Sequence, residues 1–377
     1  MPDLVRTALV IGGGIGGLAT ALALRHVDIE AQVYERAEAF GEVGAGISLW
    51  PNATRVLRRL GVLDRLEGGP IAALNVRAPS GRVLLRARTD RHDAPSLCVS
   101  RPGLIDALRA EIPEAALHLG RALASFDDRG DRVVARFADG TEAEADVLVG
   151  ADGIRSAVRA RLFGDEAPVY RGYPVWRGLA PLPASFVRGE ISETWGDGRR
   201  FGLLDVGNGR AYWYATALGP EGETEPSADA RKAGLLDAFR TWHAPIPEVL
   251  AATPPEAIHR GDTTDRPPRR PWHRGRVVLT GDAIHSTTPN LGQGGCQAIE
   301  SASALARHLG AAPPEAAFAA FEAERYARTA RVTRESLATG WLGGLGGALG
   351  SARNALTAAT PRRLYERNLD RLFRHVA

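Results

Sequence analysis

Val277-Val278-Leu279-Thr280-Gly281-Asp282-Ala283-Ile284-His285-Ser286-Thr287-Thr288-Pro289-Asn290-Leu291-Gly292-Gln293-Gly294-Gly295-Cys296-Gln297-Ala298-Ile299-Glu300 is the run on which the reading of this chain turns. An apolar β run ends in Gly281-Asp282. A turn with Pro289 follows, and a Gly-rich segment then opens a helix. Glycines remove side chains, so a flat ligand can lie against the backbone. The free N–H groups of the new helix, with its dipole, favour negative charge there. Asp282 can accept hydrogen bonds from a polyol. That combination suits a reduced flavin, whose ring becomes anionic and whose ribityl chain needs polar partners. A plain strand–loop–helix connection shares the outline, but the run as a whole points to a cofactor site.

Two further stretches repeat the theme. Ala8–Ile11 predicts a short strand, Gly12-Gly13-Gly14-Ile15-Gly16-Gly17 follows, and Leu18–Leu24 predicts a helix. The pattern Gly12-x-Gly14-x-x-Gly17 therefore sits where it has meaning. Gly12 makes the tight turn, Gly14 admits a pyrophosphate to the helix N-terminus, and Gly17 lets helix and sheet pack closely. A strand over Ala31–Tyr34 ends in Glu35, placed where an acid meets a ribose; a solvated strand end is the plainer reading. Asp146–Val149 predicts a buried strand that ends in Gly150-Ala151-Asp152-Gly153-Ile154-Arg155-Ser156. Open sheets bind ligands at the carboxyl ends of their strands, so Asp152 and Asp282 can flank one cofactor.

Between these units the chain alternates. Gly41–Leu49 reads as a turn, Gly44-Ala45-Gly46-Ile47-Ser48, before a helix Ala53–Leu60 opened by Pro51-Asn52 and ended by Gly61. Strands are expected in Leu74–Arg88 around Pro79-Ser80-Gly81 and again at Leu97–Ser100; Arg101 then sits at the mouth of the helix Leu104–Ala110. Ala122–Asp127, Arg132–Phe137 and Glu142–Ala145 predict a small meander with Asp139-Gly140 as a hairpin turn. Tyr170–Ala180 and Ile191–Thr216 alternate aromatic and polar residues and predict an antiparallel sheet with one apolar face. Arg177, Arg199, Arg200 and Tyr212 are its polar exceptions. They are either solvated neighbours of core aromatics or anchors in an aromatic-lined pocket for a flat, anionic ligand. Ile258–Asp262 is expected to return to the first domain. Pro314 opens a long helix to about Ala338, Gly340–Gly350 suits close packing or a flexible wall, and Pro361–Val376 predicts an amphipathic helix.

Composition bounds the class. A chain of 377 residues, 44% hydrophobic and 24% charged, is globular and can bury a large core. The net charge of +3 comes from arginine, since Lys232 is the one lysine. No basic face with interleaved aromatics appears, so no nucleic-acid partner is expected. The basic run Arg266–Arg276 reads as a solvated loop. Cys98 and Cys296 have no CxxC spacing, which suits a reducing, cytoplasmic setting. No apolar stretch is long enough for an integral membrane segment. The fold expected is α/β: a Rossmann-type dinucleotide-binding domain interleaved with an antiparallel β-sheet substrate domain, followed by C-terminal helices. The expected segments are 1–72, 97–168 and 261–320 for the first domain, 73–96 and 169–260 for the second, and 321–377 for the helices.

Together, Gly12–Gly17 with Glu35, Gly150–Arg159 and Gly281–Glu300 resemble the single-component FAD-dependent aromatic hydroxylases, a group that includes para-hydroxybenzoate and salicylate hydroxylases. Thr288-Pro289, Gly292-Gln293-Gly294-Gly295-Cys296 and Ala298-Ile299-Glu300 resemble the urate hydroxylase and zeaxanthin epoxidase subgroup. The resemblance implies that Gly12, Gly14 and Gly17 hold the FAD pyrophosphate and Glu35 the ribose. Arg36, Ser48, Arg101 and Ala122 would line the same nucleotide. Asp282 would meet the ribityl region, Gly292–Cys296 the isoalloxazine, and Asp152-Gly153 both FAD and the nicotinamide cofactor. Arg177, Arg200, Tyr212 and Gln293 would contact substrate, and Arg200, Tyr212, Pro289 and Asn290 would stand at the reaction. Two departures are visible: Ser301 replaces a usual second acid, and Asn290 replaces the aspartate of urate-type enzymes.

The activity implied is NAD(P)H- and O₂-dependent hydroxylation or epoxidation of a small aromatic, heteroaromatic or polyene substrate through a flavin C4a-hydroperoxide. The protein would be a monomer or homodimer. An FAD-binding oxidoreductase or carrier without oxygen insertion is the alternative. A halogenase would need an active-site lysine, and Lys232 lies in a polar helix far from the cofactor motifs.

Overall fold

The computed structural model describes residues 4–41 and 46–374. Gly44-Ala45 of the expected turn, and the tail of the expected Pro361–Val376 helix, lie outside the described residues.

The first sheet has six strands in the order His273–Arg274, Val277–Leu279, Val147–Gly150, Thr7–Ile11, Glu30–Tyr34, Leu117–His118. It is parallel except for the His273–Arg274 edge. Its strands Val277–Leu279, Val147–Gly150 and, apart from Thr7, Thr7–Ile11 are apolar and buried, as a sheet covered on both faces requires. The register explains how distant motifs meet. Ile11 pairs with Tyr34 on one side and Gly150 on the other, and Gly150 pairs with Leu279. Gly12, Glu35, Ala151 and Thr280 thus each leave the same row of the sheet, at its carboxyl edge.

The helices are α1 Ile15–Arg25, α2 Pro51–Arg59, α3 Arg101–Arg109, α4 Ala157–Phe163, α5 Ala228–Phe239, α6 Ile246–Ala252, α7 Asp282–His285, α8 Gly294–Leu309, α9 Pro314–Gly343, α10 Gly347–Ala359 and α11 Arg362–Phe373. α1 packs on α8, and α8 on α2 and α9. The meander of Leu123–Asp128, Val133–Phe137 and Glu142–Ala145 forms as expected.

A second, seven-stranded sheet runs His259–Asp265, Val169–Pro181, Arg210–Ala217, Arg199–Asp205, Glu190–Trp195, Ala73–Arg77, Val83–Arg88. It is antiparallel apart from the parallel pair Glu190–Trp195 with Ala73–Arg77. Ile258–Asp262 therefore does not return to the first domain, because His259–Asp265 pairs along Val169–Pro181 in the second sheet. Gly46–Leu49 is a strand paired with Leu97–Ser100, not a turn. Arg266–Arg276 is not a solvated loop either. Trp272 is buried, and Arg266 donates to the carbonyls of Ile154 (2.9 Å) and Glu166 (2.6 Å). Among the described residues no helix is long and apolar enough to cross a membrane.

Candidate active site

The glycines at the shared strand ends divide by function. Gly12 has φ +109°, and a Cβ there would sit 2.5 Å from the Ala151 oxygen. A Cβ on Gly17 would sit 1.8 Å from the Gly12 oxygen, so this glycine sets how closely α1 approaches its strand. A Cβ on Gly14 would meet nothing within 4 Å. That open space lies over the N-terminus of α1, where N–H groups await an anion. Glu35 stands beside it and accepts from the N–H of Gly13 (2.6 Å) and Ala37 (2.9 Å). Arg36 is exposed. Ala122 lies next to Arg121, whose N–H donates to the Glu35 carbonyl, and its own carbonyl accepts from Ala138 (2.8 Å).

Asp152 Oδ2 accepts from Ala157 N–H (2.7 Å) and Val158 N–H (3.2 Å), so this carboxylate caps α4; Oδ1 is buried without a partner among the described residues. Burial pushes its carboxyl up. Gly153 has φ +79° and open space around it. Asp282 opens α7 and faces a cavity of about 920 Å³. It is exposed beside that cavity, yet enough protein surrounds it that desolvation raises its carboxyl, which the nearby Arg101 guanidinium opposes.

The same cavity is lined by Ser48, Trp50, Arg101, Ser286, Thr287, Pro289, Asn290, Gly292, Gly294 and Gly295 on one side. Gly292 takes the left-handed conformation at φ 60° that releases the chain into α8. On the other side stand Arg177, Glu193, Trp195, Arg200, Tyr212 and Tyr214. Arg200 bridges the two. It is buried, its Nη2 donates to Asn290 Oδ1 (2.6 Å), its Nε to Thr216 Oγ1 (3.3 Å), and its Nη1 to Glu193 (3.4 Å). Asn290 Nδ2 in turn donates to Tyr173 Oη (2.8 Å), Thr288 Oγ1 (2.9 Å) and the Ser336 carbonyl (2.9 Å). Tyr212 is buried beside Arg177; burial raises its phenol, and Arg177 opposes. Tyr214 rises further, by burial first and then by Glu193.

Two predicted contacts point elsewhere. Gln293 is fully buried and turned from the cavity: its Oε1 accepts from Asn52 Nδ2 (3.0 Å) and Gln297 Nε2 (2.9 Å). Its side chain does not line the cavity. Cys296 accepts from Trp50 N–H (3.5 Å) and donates to the Ser48 carbonyl (3.6 Å), which pins the Gly46–Leu49 strand to α8. Burial pushes its thiol up to about 12.

Sequence reasoning missed Glu193 and saw Tyr173 and Tyr214 only among the strand aromatics, because their partners need sheet register to appear. It also missed the charge network under the glycine run. Glu300, fully buried, accepts from Arg325 Nη1 (2.5 Å), from Arg328 Nε and Nη2 (2.7 Å each) and from Asn52 Nδ2. Ser301 Oγ accepts from Arg325 Nε (3.2 Å) and lies 2.9 Å from His285 Nε2. Burial, then Arg325, lowers His285 from 6.5 to about 3.

Unfolding lets His285 bind a proton that the folded state refuses between pH 6.5 and about 3, so stability falls as pH drops through that window. Two pH units below 6.5 cost about 2–3 kcal/mol at roughly 1.4 kcal/mol per unit. Urea unfolding near neutral and two units below 6.5 should show this loss in the natural chain and a smaller one in His285→Gln.

The residues fit a flavin dinucleotide. Trp50 Nε1, Ser286 Oγ and Thr287 Oγ1 are buried, lack partners among the described residues and belong to cavity-lining residues. Gly14 leaves open space at a helix N-terminus, and Asp282 offers an acceptor on the cavity side. Among the described residues no cluster could hold a metal ion.

The comparisons agree with this geometry. A family described as an FAD binding domain matches residues 6–336. Aurachin C monooxygenase/isomerase of Stigmatella aurantiaca is 44% identical over 310 residues, covering 80% of each chain. The FAD-dependent urate hydroxylase of Klebsiella pneumoniae is 36% identical over 310 residues, covering 79% of this chain and 80% of that one. Klebsiella pneumoniae HpxO, solved with FAD and uric acid, superimposes with a TM-score of 0.91 at 29% identity, covering 98% of this chain and 96% of that one.

Proposed function

The chain belongs to the FAD-binding-domain family and is an FAD-dependent, NAD(P)H-using monooxygenase, and from that premise we propose how its residues divide the work. Bound FAD supplies hydride acceptance from NAD(P)H and the activation of O₂. Gly12, Gly14 and Gly17 shape its pyrophosphate seat, Glu35 takes the ribose, and Arg36 and Ala122 flank the nucleotide. Ser48, Arg101 and Asp282 face the ribityl arm. The backbone of Gly292–Gly295 offers donors to the ring, Cys296 holds that backbone in place, and Asp152-Gly153 stays assigned to the shared nucleotide edge. The six-segment domain division stands as part of the proposal. Sheet membership supports it, with the boundary near 260 moved past Asp265.

The observation that carries the substrate reading is the single cavity shared by the glycine run and the Arg177/Arg200/Tyr212 wall. It suits a small aromatic or heteroaromatic compound with an anionic oxygen, which the two arginines would hold. Their charge favours the ionised, electron-rich form that accepts oxygen. Tyr212 is kept as a phenol by burial, so it donates a hydrogen bond and orients the ring rather than taking a proton. Pro289 and Asn290 close the floor. Asn290 has no proton to exchange, and it neutralises no charge on Arg200, whose ion-pair partner is Glu193 (3.4 Å). For the same reason urate itself is a poor candidate. The apolar walls exclude water from the reacting centre.

Replacing Tyr212 by Phe should cut oxygenated product per NAD(P)H consumed by about tenfold or more, the range for losing one orienting group, while FAD stays bound. Unchanged product yield would remove Tyr212 from the assignment. The broader test supplies NADH or NADPH with a panel of phenolic and heteroaromatic acids and follows oxidation and oxygenated product together. Oxidation without product on every compound would favour an FAD oxidoreductase without oxygen insertion.

A further inference from the structure

α10 turns an apolar face outward. Its sequence, Gly347-Ala348-Leu349-Gly350-Ser351-Ala352-Arg353-Asn354-Ala355-Leu356-Thr357-Ala358-Ala359, holds one charge. That charge points inward. Arg353 is 6% exposed and donates to the carbonyls of Leu342 (3.1 Å), Gly343 (2.9 Å), Leu345 (3.0 Å) and Gly196 (2.9 Å). The outward face carries Leu349 at 66% exposure and Leu356 at 72%, with Ala352 and Ala355 between. Trp341 (67%) and Leu342 (42%) at the end of α9 and Leu364 (52%) on α11 extend it. Single exposed apolar residues are ordinary; here five of the ten exposed large hydrophobics among the described residues fall within residues 341–364. α10 and α11 both pack on the strand Val83–Arg88, which brings their outer faces to one side.

We propose that this α10–α11 face docks on an anionic lipid bilayer. The rim decides the partner. Arg363 and Arg367 flank Leu364 on α11, are exposed, and have no ion pair among the described residues. An anionic headgroup layer over an apolar interior satisfies both features at once. A second copy related by a two-fold axis would present this same apolar and basic patch, with no anionic layer to meet the arginines. α10, at 13 residues and about 20 Å, is too short to cross a bilayer and long enough to lie in its interface. Leu342 is exposed and also lines the cavity. Docking rests on the outer face alone and not on the cavity reading above.

The test is flotation of the full, FAD-loaded chain with extruded vesicles of phosphatidylcholine, alone or with about a third phosphatidylglycerol. The natural chain should float with the anionic vesicles. Leu349→Ser with Leu356→Ser, and separately Arg363→Glu with Arg367→Glu, should each lower the bound fraction about tenfold or more, and salt should weaken the natural chain's binding. All four positions face outward, so FAD content should stay unchanged and report intact folding. Absence of flotation, or variants that float like the natural chain, overturns the proposal. So does a dimer in sedimentation equilibrium that the leucine pair abolishes without any vesicle binding, which would give the face to a second copy. NAD(P)H oxidation is not a readout here, so failure of docking and failure of the proposed function are separate results.

Discussion

Gly14→Val is expected to give a folded protein that does not hold FAD. Gly14 has φ −75° and ψ −177°, a conformation that any residue adopts, so the change adds no backbone strain. Its Cβ would enter open space, so no core neighbour moves. The isopropyl group instead fills the gap over the N-terminus of α1 and keeps a pyrophosphate from the N–H groups. The loss should exceed about 100-fold in affinity, close to 3 kcal/mol. Calorimetric titration with FAD measures it, and far-UV circular dichroism shows that the fold survives. Gly17→Val is the internal control with the opposite outcome, because its side chain would strike the Gly12 carbonyl and separate α1 from its strand. If Gly14→Val retained natural FAD affinity, the dinucleotide seat would have been placed wrongly.

The second large effect belongs to Glu300. Glu300→Gln leaves Arg325 and Arg328 buried without the carboxylate that both donate to. An amide presents one acceptor and an N–H₂ that faces donors. Removing one partner of a buried ion pair costs about 3–5 kcal/mol, mostly for the charge left behind. The neutral Ser301 cannot compensate, since its hydroxyl is already engaged between Arg325 and His285. Urea unfolding should show a midpoint shift of that size, and a reduced yield of folded chain. An unchanged midpoint would mean that the network carries no net charge to strand.

The parts of the site legible in the sequence are those coded locally. The Gly12/Gly14/Gly17 spacing, the Gly150–Asp152 turn and the Gly281–Asp282 turn each name their own conformation. Their convergence then follows from one register row, Ile11 with Gly150 with Leu279. What failed depends on non-local pairing. Gly46–Leu49 looked like a turn by composition, yet strand Leu97–Ser100 supplies the partner that makes it extended. His259–Asp265 carries no mark of which sheet it joins, and its pairing with Val169–Pro181 decided that. Gln293 sits inside a glycine run that touches the cavity, but the first turn of α8 rotates its side chain inward to Asn52 and Gln297. Arg177, Arg200 and Tyr212 were visible as polar exceptions in an apolar sheet; Glu193 and Tyr214 were not, because no local signal distinguishes them from their alternating neighbours. The Gly340–Gly350 stretch read as a wall, and the close approach of Gly343 to Arg200 fits that, whereas the bare outer face of α10 needed the inward turn of Arg353 to be seen.

α11 supplies the cavity's last wall through Tyr365, Leu369, Leu372 and Phe373. Its final turn is fastened from below: Arg328 donates to the Leu372 carbonyl (2.8 Å), Arg55 to that of Phe373, and Trp50 stacks on the Phe373 ring at 4.9 Å. A ribosome makes α11 only after every strand and helix that it fastens to. A nascent chain that has emerged through α8 already owns all the strand-end turns of the nucleotide seat, while the chamber beside it still stands open. The order of synthesis therefore completes the strand-end turns before the room beside them acquires its door.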